Sequence, residues 1–296
     1  MKRYQEAAAG RRKGKKNTAK LRLAVFGALV LALLSVSIFA EWICPYDPNA
    51  QDLSNALQAP SPAHLFGTDR YGRDMLSRVI IGSRTSISST LILVAVIAVG
   101  GTVIGVVCGY FGGILDTVIM RISDICLAFP GLVFAMAIAA VLNGGVRNAV
   151  IALAVVSWPK YSRIARSQTL AVKNTDYISA ARLAGSSPAG VILRHILPNI
   201  GGQILVTAML DIGTMMMEIA ALSFLGLGAQ PPTAEWGSMM SGGRSMLQTY
   251  PWVVLSPGIA IFISVVLFNL LGDTIRDCLD PRNGNRSAGG TGKRET

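Results

Sequence analysis

The sequence predicts an all-α integral membrane protein with six transmembrane helices. Composition, charge-free windows and the placement of Lys and Arg carry that expectation. Of 296 residues, 51% are hydrophobic and 15% charged, with a mean hydropathy of +0.49. A soluble domain of this length is far more polar. Four windows carry no charge: residues 23–40, 85–115, 125–146 and 253–272, which are 18, 31, 22 and 20 residues long. About 20 apolar residues cross a hydrocarbon core of roughly 30 Å, so each window provides one crossing. Two further crossings are predicted at 148–159 and 199–225.

Residues 1–20 form a basic tail. Its run Arg11-Arg12-Lys13-Gly14-Lys15-Lys16 reads as a disordered segment lying on anionic lipid headgroups, and no nucleic acid is expected as a partner. The first crossing, 21–41, has the basic flank of a signal peptide. Glu41-Trp42 follows it in place of a small-residue cleavage site, so it is read as a retained anchor. Residues 42–84 form an extracytoplasmic segment punctuated by Pro45, Pro48, Pro60 and Pro62. Within it Thr68 or Asp69 caps a short amphipathic helix, with Met75, Leu76, Val79 and Ile80 as its apolar side.

Residues 85–275 hold the other five crossings. Gly101, Gly105, Gly109 and Gly113 recur every four residues on the second, a stripe that lets a neighbouring helix of the same chain approach closely. The stretch 148–159 is only 12 residues long, between Arg147 and Lys160. Its flanking cations can snorkel, and Trp158 and Tyr161 suit an interface. The crossing 199–225 contains Asp211 and Glu218, seven residues apart and so on one face. Acids at membrane depth turn to the bundle interior or to a water-filled path. Pairing with a polar neighbour and contact with a translocated substrate are both open at this stage. Met215-Met216-Met217 point in three directions on a helix and read as packing, not as a soft-metal site. Residues 276–296 form a second tail.

Orientation follows from charge. With the N-terminus inside, 21 of the 27 Lys and Arg fall on cytoplasmic segments and six, Arg70, Arg73, Arg78, Arg84, Arg147 and Arg244, fall outside. The positive-inside rule therefore predicts a multi-pass protein of the plasma or inner membrane with both termini cytoplasmic. The cysteines are spread along the chain at 44, 108, 126 and 278, and no internal disulfide is expected. His64 and His195 fall on opposite sides, so no metal site is expected.

The loop 174–199 is the segment that composition alone does not explain. Asn174 or Thr175 caps a first helix, with Asp176 in its first turn. Gly185 stops that helix, since glycine enters the left-handed region at little cost. Ser187 caps a second helix with Pro188 at its first position, and Pro198 ends it. Two short helices joined by a tight turn make a docking surface on the water side. The chain supplies no nucleotide chemistry to go with it: no G-x-x-x-x-G-K-[ST] occurs, and neither Gly-Lys pair precedes Ser or Thr. Nor is there a hydrolase signature, so no catalytic residue is assigned and the chain is read as a non-enzyme.

The loop resembles the EAA motif of ABC-importer permeases. Ser179-Ala180-Ala181 precedes Gly185 at the motif's spacing, and His195-Ile196-Leu197-Pro198 closes it. Ser179 stands where the motif has glutamate and His195 where it has isoleucine, as in the dipeptide/oligopeptide/nickel subfamily. Other blocks are similar to that subfamily in order: F-G-T-D-x-x-G-R-D at 66–74, L-S-F-L-G-L-G at 222–228, Q-P-P-T-x-x-W-G at 230–237 and F-N-L-L-G-D-x-x-R-D-x-L-D-P at 268–281. The likeness extends over 21–282.

The resemblance implies a type I ABC importer permease fold, with loop 174–199 supplying coupling helices for a cytoplasmic ATPase. Asp176, Tyr177, Ser179, Ala180, Ala181, Arg182, Gly185, Arg194, His195, Leu197 and Pro198 would form that loop. The small residues would admit close approach, and Arg182, Arg194 and His195 would contact the rim. Implied partners are a second homologous permease, two ATPase subunits that use ATP and Mg, and an external substrate-binding protein. The implied mechanism is alternating access; moving a population from 1:99 to 99:1 needs about 5.5 kcal/mol of differential binding by ATP. Small peptides are the first expectation for cargo. Nickel or another small solute is the second, since L-D-I-G-T-M-M-M-E leans toward the nickel branch. A self-sufficient secondary transporter or channel is the alternative class, marked by inverted repeats, helices broken at mid-membrane or a clearer set of intramembrane charges.

Overall fold

The computed structural model describes residues 2–279, with side chains from residue 20 onward. Six long helical segments make the bundle, and four of them, or five with the bent pair, are long and apolar enough to cross a membrane. These are α1 (Lys2–Ile38), α3 (Met75–Phe111), the bent pair α4 (Gly113–Ala128) and α5 (Gly131–Val141), α9 (Leu197–Phe224) and α11 (Trp252–Leu279), joined by α6 (Val146–Val172). Short helices α2 (Ala40–Ile43), α7 (Asp176–Leu183), α8 (Pro188–Val191) and α10 (Trp236–Gly243) connect them. Among the described residues the only extended pairing is an isolated bridge between Thr68 and Asp74.

Several sequence expectations are corrected. The tail read as disordered continues α1 as helix from Lys2; its Ala, Glu, Gln, Lys and Arg are good helix formers and no proline interrupts them. The short external helix capped by Thr68 or Asp69 does not exist as a separate element. Asp74 is the N-cap, its carboxylate accepting from the Ser77 N–H at 2.7 Å, and the helix runs unbroken for 37 residues. Thr68 and Asp69 are committed elsewhere: the Thr68 hydroxyl donates to Asn55 O, and Asp69 accepts from the Tyr71 and Arg73 N–H groups. At about 1.5 Å per residue α3 is roughly 55 Å long, so it projects well beyond the hydrocarbon.

The crossing expected at 125–146 is broken. α4 and α5 meet at 96° across Phe129–Pro130. Proline excludes its predecessor from the helical region, and Phe129 is extended at φ −100°, ψ 150°. The short crossing at 148–159 is in fact the 27-residue α6, with Pro159 inside it. Three of its four charges are paired within the bundle: Lys160 with Asp211, Arg163 with Asp124, and Arg166 with Asp116. The tail 276–296 is described only to Leu279, in α11; the rest lies outside the described residues.

α3 and α6 form the closest helix pair. A Cβ at Gly101 would sit 2.6 Å from Trp158 O, at Gly105 2.2 Å from Ser162 O, and at Gly109 2.9 Å from Thr169 Cβ. The glycine stripe is therefore packed within the chain, except that Gly113 opens α4 with free space around it. Met215 and Met216 lie in the core while Met217 is exposed, as expected for three consecutive helical positions. On the α2–α3 side, Gly72 (φ +72°) lies under Asp52, where a Cβ would fall 1.7 Å from Asp52 O. Hydrogen bonds from Ser54 and Asn55 hold the Asp52 carboxyl below the usual range.

Candidate functional site

The loop between α6 and α9 folds as the capping residues dictate at its first turn. Gly185 has φ +84°, the Gly185 N–H donates to Arg182 O and the Ser186 N–H to Ala181 O. That pair of bonds closes a helix on a left-handed residue. Ser187 Oγ accepts from the Gly190 N–H at 3.2 Å, with Pro188 at the first position of α8. Thr175 occupies the N-cap of α7, but its hydroxyl donates back to Val172 O in place of capping.

Pro198 does not end the second helix. α8 runs through a π turn, Ile192–Ile196, directly into α9, making one helix from Pro188 to Phe224. The Leu197 N–H bonds back to Ile192 O. This wider turn takes up the missing donor and the ring of proline without breaking the axis. The two-helix loop is therefore α7 plus the first turns of a long membrane helix.

A small core fixes this corner to the bundle. Ile178, Val191, Ile196 and Ile200 pack with Val106 of α3 and Ala165 of α6, with Leu197 at its margin. Tyr177 accepts a bond from Asn199 Nδ2 at 2.8 Å and meets the His195 ring edge-on at 6.5 Å. Arg182 lies 5.2 Å over the Tyr110 ring, and Ser179 Oγ donates to Thr175 O. Several motif side chains thus hold the loop's own shape. Asp176, Ala180, Gly185, Arg194 and Pro198 are exposed, and Ala181 is half-buried. Leu183, absent from the sequence-derived set, is 90% exposed. Its signal was an isolated leucine in a run of small and polar residues.

A second constellation lies at mid-span. Lys160 Nζ is 2.5 Å from Asp211 Oδ1, and the Tyr161 hydroxyl donates to Asp211 Oδ2 at 2.9 Å. Asp211 is buried, so of its two readings the structure supplies the polar pairing. Glu218 is half-buried and borders, with Lys160, Asp211, Ser157 and Thr214, a cavity of about 230 Å³ beside the α4–α5 break. Lys160, read as a snorkelling flank, and Tyr161, read as an interface aromatic, pair within the bundle instead, because folding brings them to Asp211, 51 and 50 residues away.

On the other side, a cleft of about 540 Å³ opens between residues 69–78, the loop 223–233 and α10. Its wall is an ion cluster: Asp69 binds Arg73 at 2.6 Å and lies 3.9 Å from Arg78. Below it Glu235 caps α10, accepting from the Gly237 and Ser238 N–H groups and from Ser86 Oγ. Burial pushes its carboxyl up, against the pull of those bonds. Trp236 Nε1 donates to Val79 O. The blocks 66–74 and 230–237 therefore brace the end of α3. Among the described residues, no three His, Cys, Asp or Glu converge as a metal set.

A helical bundle with an exposed helix–turn–helix at one end and paired charges at its middle defines a membrane transport subunit. The chain belongs to the binding-protein-dependent transport system inner membrane component family, which matches residues 101–285; residues 19–60 match the N-terminal TM domain of oligopeptide transport permease C. It is 45% identical over 267 residues to a probable D,D-dipeptide transport system permease of Escherichia coli K12, covering 90% of each chain. It is 44% identical to a glutathione transport system permease of Escherichia coli O6:K15:H31, over 86% of this chain and 84% of that one. A dipeptide transport system permease of Alkalihalophilus pseudofirmus is 41% identical over 90% and 88%. The fold matches a chain of the MetNI methionine ABC transporter, in inward-facing conformations, with a TM-score of 0.52 and 20% identity, over 70% of this chain and 98% of that one. Broken helices mark secondary transporters, and α4–α5 is broken at Phe129–Pro130, yet family membership assigns the chain to the ABC importers.

Proposed function

We propose that this permease forms half of the path by which small peptides enter the cell. It would pair with a second homologous permease, with two ATPases beneath and a binding protein outside. The observation that carries the reading is the exposed loop of α7 and α8, rigidly joined to α6 and α9. An ATPase groove receives Ala180, Leu183 and Gly185, and a displacement there is transmitted along two helices that reach the mid-span polar cluster. ATP and Mg act on the partner subunits; this chain contributes no nucleotide chemistry. Both termini face the cytoplasm, as the charge bias requires. Peptide cargo is supported by relatives named for dipeptide and glutathione transport.

Affinity purification of the tagged chain from its native membrane tests the assembly: an ABC ATPase should co-purify. Uptake of labelled dipeptide against labelled nickel tests the cargo, with peptide expected to accumulate in an ATP-dependent manner. Gly185→Asp puts a side chain on a φ of +84° and a charge on the docking face. It is expected to leave membrane insertion intact and abolish uptake; normal uptake would sink the coupling assignment.

A further inference from the structure

The cavity at the α4–α5 break has a feature that an apolar bundle does not need. Within it the charge of Asp211 is spent on Lys160 and Tyr161. Glu218, two helical turns along α9, lines the same space and takes part in no hydrogen bond or ion pair among the described residues. Ser157 and Thr214 put hydroxyls on the lining between them.

The surrounding surface shows what the open side faces. Lys160 is roughly 20 Å from either end of α6 at 1.5 Å per residue, and its side chain is 51% exposed. A half-exposed ammonium midway along a membrane helix turns to water and not to lipid. α9 agrees: Gln203, Thr207, Asp211, Thr214 and Glu218 follow one another at intervals of four, four, three and four residues, a single polar stripe along one face. The face shared by α6 and α9 is thus the wall of an aqueous path, and Glu218 is its one acid without a protein cation.

We propose that Glu218 receives the α-ammonium of a peptide in transit, with Ser157 and Thr214 as flanking hydrogen-bond partners. The assignment rests on the peptide-import reading and deepens it. The cavity is smaller than the roughly 300 Å³ at which pockets begin to enclose whole drug-sized ligands, so it holds the amino-terminal end and leaves the rest of the peptide in the path. Lys160, neutralised by Asp211, does not repel the incoming ammonium.

The test uses the complete importer in proteoliposomes, with its binding protein and ATP, and a labelled dipeptide. Glu218→Gln removes the charge at constant shape and should lower dipeptide import per ATP hydrolysed by about ten-fold or more, the loss expected for a bond to a charged group. Glu218→Asp should restore most of it, and binding-protein-stimulated ATP hydrolysis should persist in both variants. A structural role alone would not follow the charge in this way. Import by Glu218→Gln at the wild-type rate overturns the subsite and leaves the importer reading standing. A wild-type complex that imports no dipeptide overturns both. A dipeptide with a free amino terminus and a diazirine side chain tests the unsubstituted protein during turnover. Adducts on the segments around Ser157 and Glu218 are expected, and adducts confined to other segments overturn the proposal.

Discussion

Lys160 sits in the middle of a membrane helix only because Asp211 is 2.5 Å away. Removing one partner leaves the other carrying an uncompensated charge, which costs about 3–5 kcal/mol when the survivor is buried. Lys160→Met should therefore lower the melting temperature of the detergent-solubilised complex sharply, because buried Asp211 is left without its cation. Replacing both, as Lys160→Met with Asp211→Leu, should recover part of that loss, since the uncompensated charge is gone while the buried Tyr161 hydroxyl loses its acceptor. A double variant no more stable than the single one would show that the pair is not the source of the effect. Asp211 and Glu218 could be picked out from the sequence as acids at membrane depth, but their different situations could not. Whether an acid is paired depends on a cation 51 positions away, and only the packing of α6 on α9 brings the two together.

Helix boundaries were legible where a local rule decides them. Gly185, Ser187 and Pro188 set the turn between α7 and α8 by backbone conformation and capping, which act over three or four residues. Proline was harder to read, because its effect depends on what surrounds it. Pro130 breaks its helix, Pro159 lies inside α6, and Pro198 is absorbed by the π turn at Ile192–Ile196. Three of the four stripe glycines, Gly101, Gly105 and Gly109, pack within the chain as expected, and the structure gives the contact a magnitude. Any side chain at Gly105 must displace the α6 backbone, since its Cβ would lie 2.2 Å from Ser162 O. Gly105→Leu should destabilise the bundle by at least about 1–3 kcal/mol, the usual cost of overpacking. It should also reduce coupling, because α6 carries both the mid-span lysine and the approach to α7. Thermal unfolding and stimulated ATP hydrolysis of the same preparation check the two effects. A Gly100→Leu control, where a Cβ meets nothing within 4 Å, should leave both unchanged.

The number of passes and the direction of the chain are properties of the whole molecule. Counting charge-free windows finds four passes, misses α9 with its two acids, and understates α6, where Lys160, Arg163 and Arg166 are neutralised by acids from α4 and α9. The similar blocks at 66–74 and 230–237 brace one end of α3, while the α7–α8 loop lies against the other end, beside Val106 and Tyr110. Those ends must lie on opposite sides of the bilayer, because α3 is longer than the hydrocarbon is thick. The charge bias predicts that the loop end is cytoplasmic, although Lys160, Arg163 and Arg166 of that count lie within α6. The native cysteines at 44, 108, 126 and 278 would confuse a labelling experiment, so the background should be cysteine-free. In it, Leu65→Cys and Leu183→Cys each place a thiol at an exposed position. An impermeant maleimide added to intact cells, or to spheroplasts where an outer membrane bars access, should modify residue 65 and spare residue 183. Inside-out vesicles should give the reverse. Labelling of residue 183 from outside would invert the topology, and with it the assignment of the α7–α8 surface to a cytoplasmic ATPase.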